Sequence, residues 1–171
     1  DALGNMTSTT DALGNTTTFG YDAVGNMTSI TDPLGNVTTF AYDANSNLLM
    51  TTMTRTDGFG VEHVVTTRLE YDALNRLTGV IENYISGGPQ NAQTNVATSF
   101  SYDPLGNLTA ITDPLGHTAT FDYDALNRLA SRQDPLLNET TYSYDAIGNL
   151  TQIVNPKSQI VNYDYDPLNR L

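Results

Sequence analysis

The sequence predicts an all-β fold, a repetitive antiparallel meander of short hairpins. Three observations carry this: a five-residue turn-forming block recurs at near-constant spacing, segments of strand length and composition fill the gaps, and the connections are too short for parallel crossovers.

The block begins with aspartate at Asp1, Asp11, Asp22, Asp32, Asp43, Asp72, Asp103, Asp113, Asp124, Asp134, Asp145 and Asp166, and Asn155 fills one further slot. The spacing alternates between 10 and 11 residues, a superperiod of 21, except that the intervals starting at Asp43 and Asp72 lengthen to 29 and 31. The first slot suits an Asx-turn, in which the carboxylate accepts a hydrogen bond from the backbone two residues on. The second slot is alanine or proline (Ala2, Ala23, Pro33, Pro104), as the first corner of a type I or type II turn prefers.

The fourth slot is glycine at Gly4, Gly14, Gly25, Gly35, Gly106, Gly116 and Gly148 and asparagine at Asn75, Asn127 and Asn169, the residue types that best tolerate positive φ. A left-handed residue is therefore expected there. Ser46, Leu137 and Ser158 break the rule, so those three turns are expected to be distorted or of another type.

After each turn come five or six residues rich in threonine, valine, isoleucine and aromatics, such as Val37–Tyr42, a strand by length and composition. The 11-residue units end in an aromatic-x-tyrosine pair: Phe19/Tyr21, Phe40/Tyr42, Phe100/Tyr102, Phe121/Tyr123, Tyr142/Tyr144 and Tyr163/Tyr165. A spacing of two puts both rings on one face. Stacked across strands they predict an aromatic and aliphatic ladder, with the third-slot residues Leu34, Leu105 and Ile147 expected to join it. In the second half the turns alternate between Asn-Arg-Leu (75–77, 127–129, 169–171) and Gly-Asn-Leu (106–108, 148–150), which reads as duplication of a hairpin pair and carries no assigned function.

The string Tyr-Asp-x-x-Gly-Asn-Leu-Thr followed by Asp-Pro-Leu-Gly-x-x-x-x-Phe-x-Tyr-Asp, most complete over 102–124, resembles the YD repeat of Rhs, wall-associated and toxin-complex proteins and of teneurins. The resemblance covers the chain outside about 50–68 and 82–98. It implies a spiral β-sheet forming the wall of a hollow shell, which in the bacterial toxins holds a C-terminal toxic domain. Accumulated strand twist independently favours curling, since open sheets beyond about ten strands coil or close. The family's self-cleaving core segment and a toxin-sized tail are not found in this sequence. The expected organisation is one array over 1–171 with longer inserted hairpins or loops at about 50–68 and 82–98, cut from a longer chain.

Composition limits the chemistry. There is no cysteine, which excludes disulfides and thiolate metal sites, and 19 acidic against 7 basic side chains give a net charge of −12. That charge repels phosphate backbones and anionic headgroups, so nucleic acid is not an expected partner. No stretch approaches the roughly 20 apolar residues of a spanning helix, and membrane insertion is not expected.

No catalytic, cofactor-binding or metal residue is assigned. The turn aspartates suggest calcium, yet their spacing differs from the glycine-rich nonapeptide of calcium-binding β-rolls, and capping the turn already occupies them. His63 and His117 stand 54 residues apart, and His117 takes the place of the turn asparagine. No serine sits in a nucleophile elbow, and Gly58-Phe59-Gly60 and Gly87-Gly88 lack the lysine or helix start of a phosphate loop. The Asn-x-Thr triplets at Asn5, Asn15, Asn26, Asn36, Asn107, Asn138 and Asn149 follow from the repeat itself.

Inserted loops are where a binding surface is expected first. There Arg55, His63, Arg68, Tyr84 and Ser86-Gly87-Gly88-Pro89-Gln90 are the exposed candidates, projecting from one side of the array. The leading expectation is a non-enzymatic wall segment of an extracellular or cell-surface protein, partnered by the rest of its parent chain or an enclosed C-terminal toxin domain. An adhesive module binding glycans, or an array associating end to end into an extracellular filament, are the alternatives.

Overall fold

The computed structural model describes residues 1–91 and 93–171; position 92, inside the second inserted interval, lies outside the described residues. The chain divides into two units, Asp1–Ala97 and Thr98–Leu171. The first carries β1 (Ser8–Thr10), β2 (Thr16–Tyr21), β3 (Met27–Thr31), β4 (Val37–Tyr42), β5 (Leu48–Thr56), β6 (Glu62–Tyr71) and β7 (Leu77–Glu82). Each strand pairs antiparallel with the next.

The second unit carries β8 (Val96–Tyr102, begun two residues earlier), β9 (Leu108–Thr112), β10 (Thr118–Tyr123), β11 (Leu129–Gln133), β12 (Glu139–Tyr144), β13 (Leu150–Val154) and β14 (Ile160–Asn162). These too pair antiparallel in chain order. No helix occurs among the described residues. The all-β meander read from turn spacing is therefore the fold. Tyr163 and Tyr165 lie just past β14, although Tyr163 N–H still donates to Thr151 O at 2.9 Å.

Each unit is one layer. Among the described residues no hydrophobic side chain is buried, and the buried side chains are the hydroxyls Ser131 and Thr140. Strand register assigns the faces, because directly paired residues point the same way. Phe19 pairs with Ile30, Phe40 with Thr51, Met53 with Val65 and Leu69 with Val80, forming an aromatic face. In the second unit Phe100–Ile111 and Tyr142–Ile153 do the same.

The opposite face is rich in hydroxyls and polar groups. Its cross-strand pairs hydrogen-bond through their side chains: Thr52 with Thr66 at 3.2 Å, Thr112 with Thr118 at 2.9 Å, and Ser131 Oγ to Asp122 Oδ2 at 3.0 Å. The third-slot aliphatics join neither face. Leu34, Leu105 and Ile147, expected in the ladder, stand 88%, 74% and 71% exposed, because a turn's second corner points its side chain out of the hairpin.

The first inserted interval is a long hairpin of β5 and β6, paired from Met50–Arg68 out to Thr56–Glu62. The second is a loop after β7. It is fixed by Asn95, whose Oδ1 accepts the Ile85 N–H at 2.8 Å and whose Nδ2 donates to Gly88 O at 2.9 Å.

Candidate functional site

The repeated chemical feature is the turn, and the Asp32 turn shows how it closes. Gly35 N–H donates to Asp32 O at 3.0 Å, and Asp32 N–H to Asn36 O at 3.0 Å. Asp32 Oδ1 accepts the N–H groups of Leu34 (2.9 Å) and Asn36 (2.8 Å), while Oδ2 accepts from Asn36 Nδ2 at 2.6 Å. One carboxylate thus satisfies three donors that the hairpin bend would otherwise leave unpaired. Positive φ falls on the fourth slot and never on the third, which settles the geometry as a type I turn followed by a left-handed bulge residue.

Ser46, Leu137 and Ser158 correct the expectation of distorted turns. Their φ values are 65°, 64° and 59°, and each donates its N–H to the first-slot carbonyl at 2.9–3.1 Å like the glycines. The first-slot side chain (Asp43, Asp134 or Asn155) and the flanking strand pairs impose the bend on residues that do not favour it. Asn155 substitutes for aspartate in the same way, with Oδ1 accepting from Lys157 and Gln159 N–H and Nδ2 donating to Gln159 Oε1.

Sequence reading missed one further turn. Asp57 caps the β5–β6 hairpin with Gly60 left-handed at φ 80°, and its Oδ1 accepts from Phe59 and Val61 N–H at 2.9 Å. Glycine in place of alanine or proline at the second slot, and a place outside the 10/11 spacing, concealed it. The aspartate five residues before the Val64-Val65 strand was the available signal.

The hydrogen bonds hold the carboxylates in their ionised form. The pKa values of Asp11, Asp43, Asp103 and Asp134 fall below the ordinary 3.8, first through the side-chain amides of Asn15, Asn47, Asn107 and Asn138. For Asp72 and Asp124 the leading cause is the backbone N–H of Arg76 and Arg128.

The two sheet edges differ. On the edge where strands end in tyrosine, each clip runs 15 residues back: Tyr21 Oη donates to Met6 O at 3.0 Å, Tyr42 to Met27 O at 2.9 Å, Tyr123 to Leu108 O at 3.0 Å and Tyr165 to Leu150 O at 3.1 Å. Among the described residues, the six register shifts also lie at this edge, as between Ala41 and Tyr42. Bulges bend strands and increase local twist, so the bending is concentrated at one edge.

Neighbouring turns on the tyrosine edge also hold each other. Asn107 Nδ2 donates to Asn127 Oδ1 at 3.1 Å, Asn149 Nδ2 to Asn169 Oδ1 at 3.3 Å, and Arg128 Nη1 to Asp145 O at 3.0 Å. This gives the alternation of Asn-Arg and Gly-Asn turns a physical basis. A Gly-Asn turn supplies a donor amide, the following Asn-Arg turn supplies the acceptor, and Arg128 reaches the turn beyond its own. On the opposite edge, among the described residues, the fifth-slot groups Asn15, Asn36, His117, Asn138 and Gln159 bond only within their own turns.

The candidates from the inserted intervals do not converge. Arg55 pairs in register with His63 on the aromatic face, and His63 Nε2 lies 2.9 Å from Asp57 Oδ2. Arg68 is on the hydroxyl face, where it contacts Glu70 at 3.1 Å and Tyr84 Oη at 3.1 Å. Ser86–Gln90 lies in the loop pinned by Asn95. His117 closes its own turn, with Nδ1 2.9 Å from Asp113 Oδ2. Among the described residues no three His, Cys, Asp or Glu groups converge on a possible metal position.

An antiparallel array whose repeating unit is a carboxylate-closed turn is a repeat scaffold. The RHS Repeat family model matches residues 1–37, 21–59, 102–138 and 144–171, and the chain belongs to that family. Among solved structures it is similar to TcdB2-TccC3 without its hypervariable C-terminal region, with 22% identity, 90% of this chain covered and a TM-score of 0.48. It is also similar to the Photorhabdus luminescens Tc holotoxin pore, with 22% identity, 86% coverage and a TM-score of 0.45. The chain spans 10% and 9% of those two chains. None of the curated proteins matches it.

Proposed function

We propose that this chain is a structural wall segment of an Rhs-type β-shell, part of an exported or cell-surface protein, with no catalytic role of its own. The observation that carries the reading is the stitched tyrosine edge of an RHS-repeat array, where clips, turn-to-turn bonds and bulges all fall on one side. A strip fastened and bulged along one edge, and unfastened along the other, is suited to bending into a wall. The proposed partners follow from the family: the rest of the parent chain and a domain enclosed by it.

Negative-stain electron microscopy of the full parent polypeptide tests this. Closed hollow particles are expected. Long uniform fibres would sink the reading and make end-to-end pairing of the terminal strands the function to explain.

A further inference from the structure

The β5–β6 hairpin outruns the strand that follows it. β7 pairs with β6 only between Arg68 and Tyr71, and beyond that Tyr84 N–H donates to Thr66 O at 2.8 Å. Glu62–Val65 therefore have β5 on one side and, among the described residues, no strand on the other. All four are exposed, Val64 by 56%. The loop after β7 leaves this edge bare, because Asn95, next to β8, holds Ile85 and Gly88.

The register fixes what the bare edge offers. Asp57 N–H donates to Val61 O at 2.9 Å, and hydrogen-bonded and non-hydrogen-bonded pairs alternate along an antiparallel ladder. Thr56–Glu62 and Thr54–Val64 are thus non-hydrogen-bonded pairs, so the N–H and C=O groups of Glu62 and Val64 point away from β5. Thr66 is in the same phase, and its carbonyl does face outward, to Tyr84. Two donors and two acceptors stand in two sets about 7 Å apart along the strand. No proline, lysine or register shift guards residues 62–66, as such features guard most open edges.

We propose that this edge of β6 is a strand-addition site for an extended polypeptide segment, with a basic side chain opposite Glu62 and an apolar, β-branched one opposite Val64. Main chain is the occupant because an extended backbone supplies donors and acceptors in the matching order. Charge selects the basic residue. The chain carries −12, Glu62 has no ion pair among the described residues, and β7 ends with Glu82 on the line that the added segment would continue. The segment's intervening side chain would lie beside His63 and Val65 on the other face.

The site goes beyond the wall reading and is separable from it: hollow particles that ignore the segment sink only the site, and fibres that bind it sink only the wall. Its test is hydrogen–deuterium exchange of the full parent polypeptide with a blocked peptide, Thr-Thr-Val-Thr-Lys-Thr-Thr, whose antiparallel register sets valine against Val64 and lysine against Glu62. Exchange over residues 61–65 should slow about 5-fold at about 1 mM peptide, which corresponds to a Kd of about 0.25 mM.

Val64→Pro should abolish the protection, and it removes an N–H that β5 does not use. Because that variant could disturb the hairpin, charge exchange gives a second readout. Glu62→Lys should weaken binding about 3-fold, and a peptide with glutamate in place of lysine should restore it. An edge already protected before peptide is added, no protection at about 1 mM, or equal protection by the lysine and glutamate peptides would each overturn the proposal.

Discussion

The Tyr144 hydroxyl donates to the carbonyl of Leu129 at 3.0 Å, joining two turns of the same edge that lie 15 residues apart in sequence. The same relation recurs at Tyr42–Met27 and Tyr123–Leu108, so the tyrosine of these Tyr-Asp pairs acts as a tie between hairpins while its aspartate closes the next turn.

Tyr144→Phe removes that tie and leaves the ring in place. A part-buried carbonyl then loses its donor, and the cost expected is about 1 kcal/mol. Tyr142→Phe, two residues away on the same face, removes a hydroxyl that makes no such clip and should cost less than about 0.5 kcal/mol. Urea denaturation followed by circular dichroism compares the two; equal effects would show that the hydroxyl bond contributes nothing particular.

Leu137 sits at φ 64°, a conformation that a side chain bearing a Cβ adopts at a cost of roughly 1–2 kcal/mol. Leu137→Gly relieves the strain but frees the unfolded chain, so a net gain of about 0.5–1 kcal/mol is expected. Gly148→Ala is the reverse experiment: φ is 97° and nothing lies within 4 Å of the new Cβ, so any loss measures backbone strain alone. A stabilising Gly148→Ala would refute the account.

Leu137 also shows where sequence reading stops. Glycine and asparagine at the fourth slot announced the left-handed bend, and Val37–Tyr42 was legible as a strand to the residue. Ser46, Leu137 and Ser158 read as exceptions because propensity is local, whereas the bend is imposed by the first-slot Asp43, Asp134 or Asn155 side chain and by strand pairs on both sides. The exposure of Leu34 and Leu105 was unreadable for a related reason: apolar character marks a core residue only when the backbone turns it inward, and a turn corner does not. The tyrosine clips span 15 residues across paired strands, so neither partner signals the other in sequence; the Tyr-Asp period alone marks where they fall.

Acid should open the array cooperatively. The pKa values of the turn aspartates are lowered in the fold, from 3.8, with side-chain amides leading at Asp11, Asp43, Asp103 and Asp134 and backbone N–H leading at Asp72 and Asp124. The unfolded chain therefore binds more protons as pH falls past 3.8, and stability that is fully present well above that value is lost as pH drops through the folded pKa values. The urea midpoint should be flat from pH 7 to about pH 5 and fall steeply below about pH 4. A midpoint that rises on acidification would contradict carboxylate closure of the turns.

Arg128 concentrates three interactions in one guanidinium. Its Nε donates to Asp124 Oδ2 at 2.7 Å, its Nη1 to Asp145 O at 3.0 Å, and its Cζ lies 4.6 Å from the Tyr144 ring centroid. A lysine ammonium keeps the charge but is a single point: it can hold the carboxylate or the next turn's carbonyl, and it stacks poorly. Arg128→Lys should therefore cost about 1 kcal/mol by losing the turn-to-turn bond. Arg170→Lys is the control, since its 73% exposed side chain only closes its own turn, and it should change the midpoint little. If the two lysine variants behave alike, the effect of Arg128 lies within its own turn, and the alternation of Asn-Arg with Gly-Asn turns has no part in holding neighbouring hairpins together.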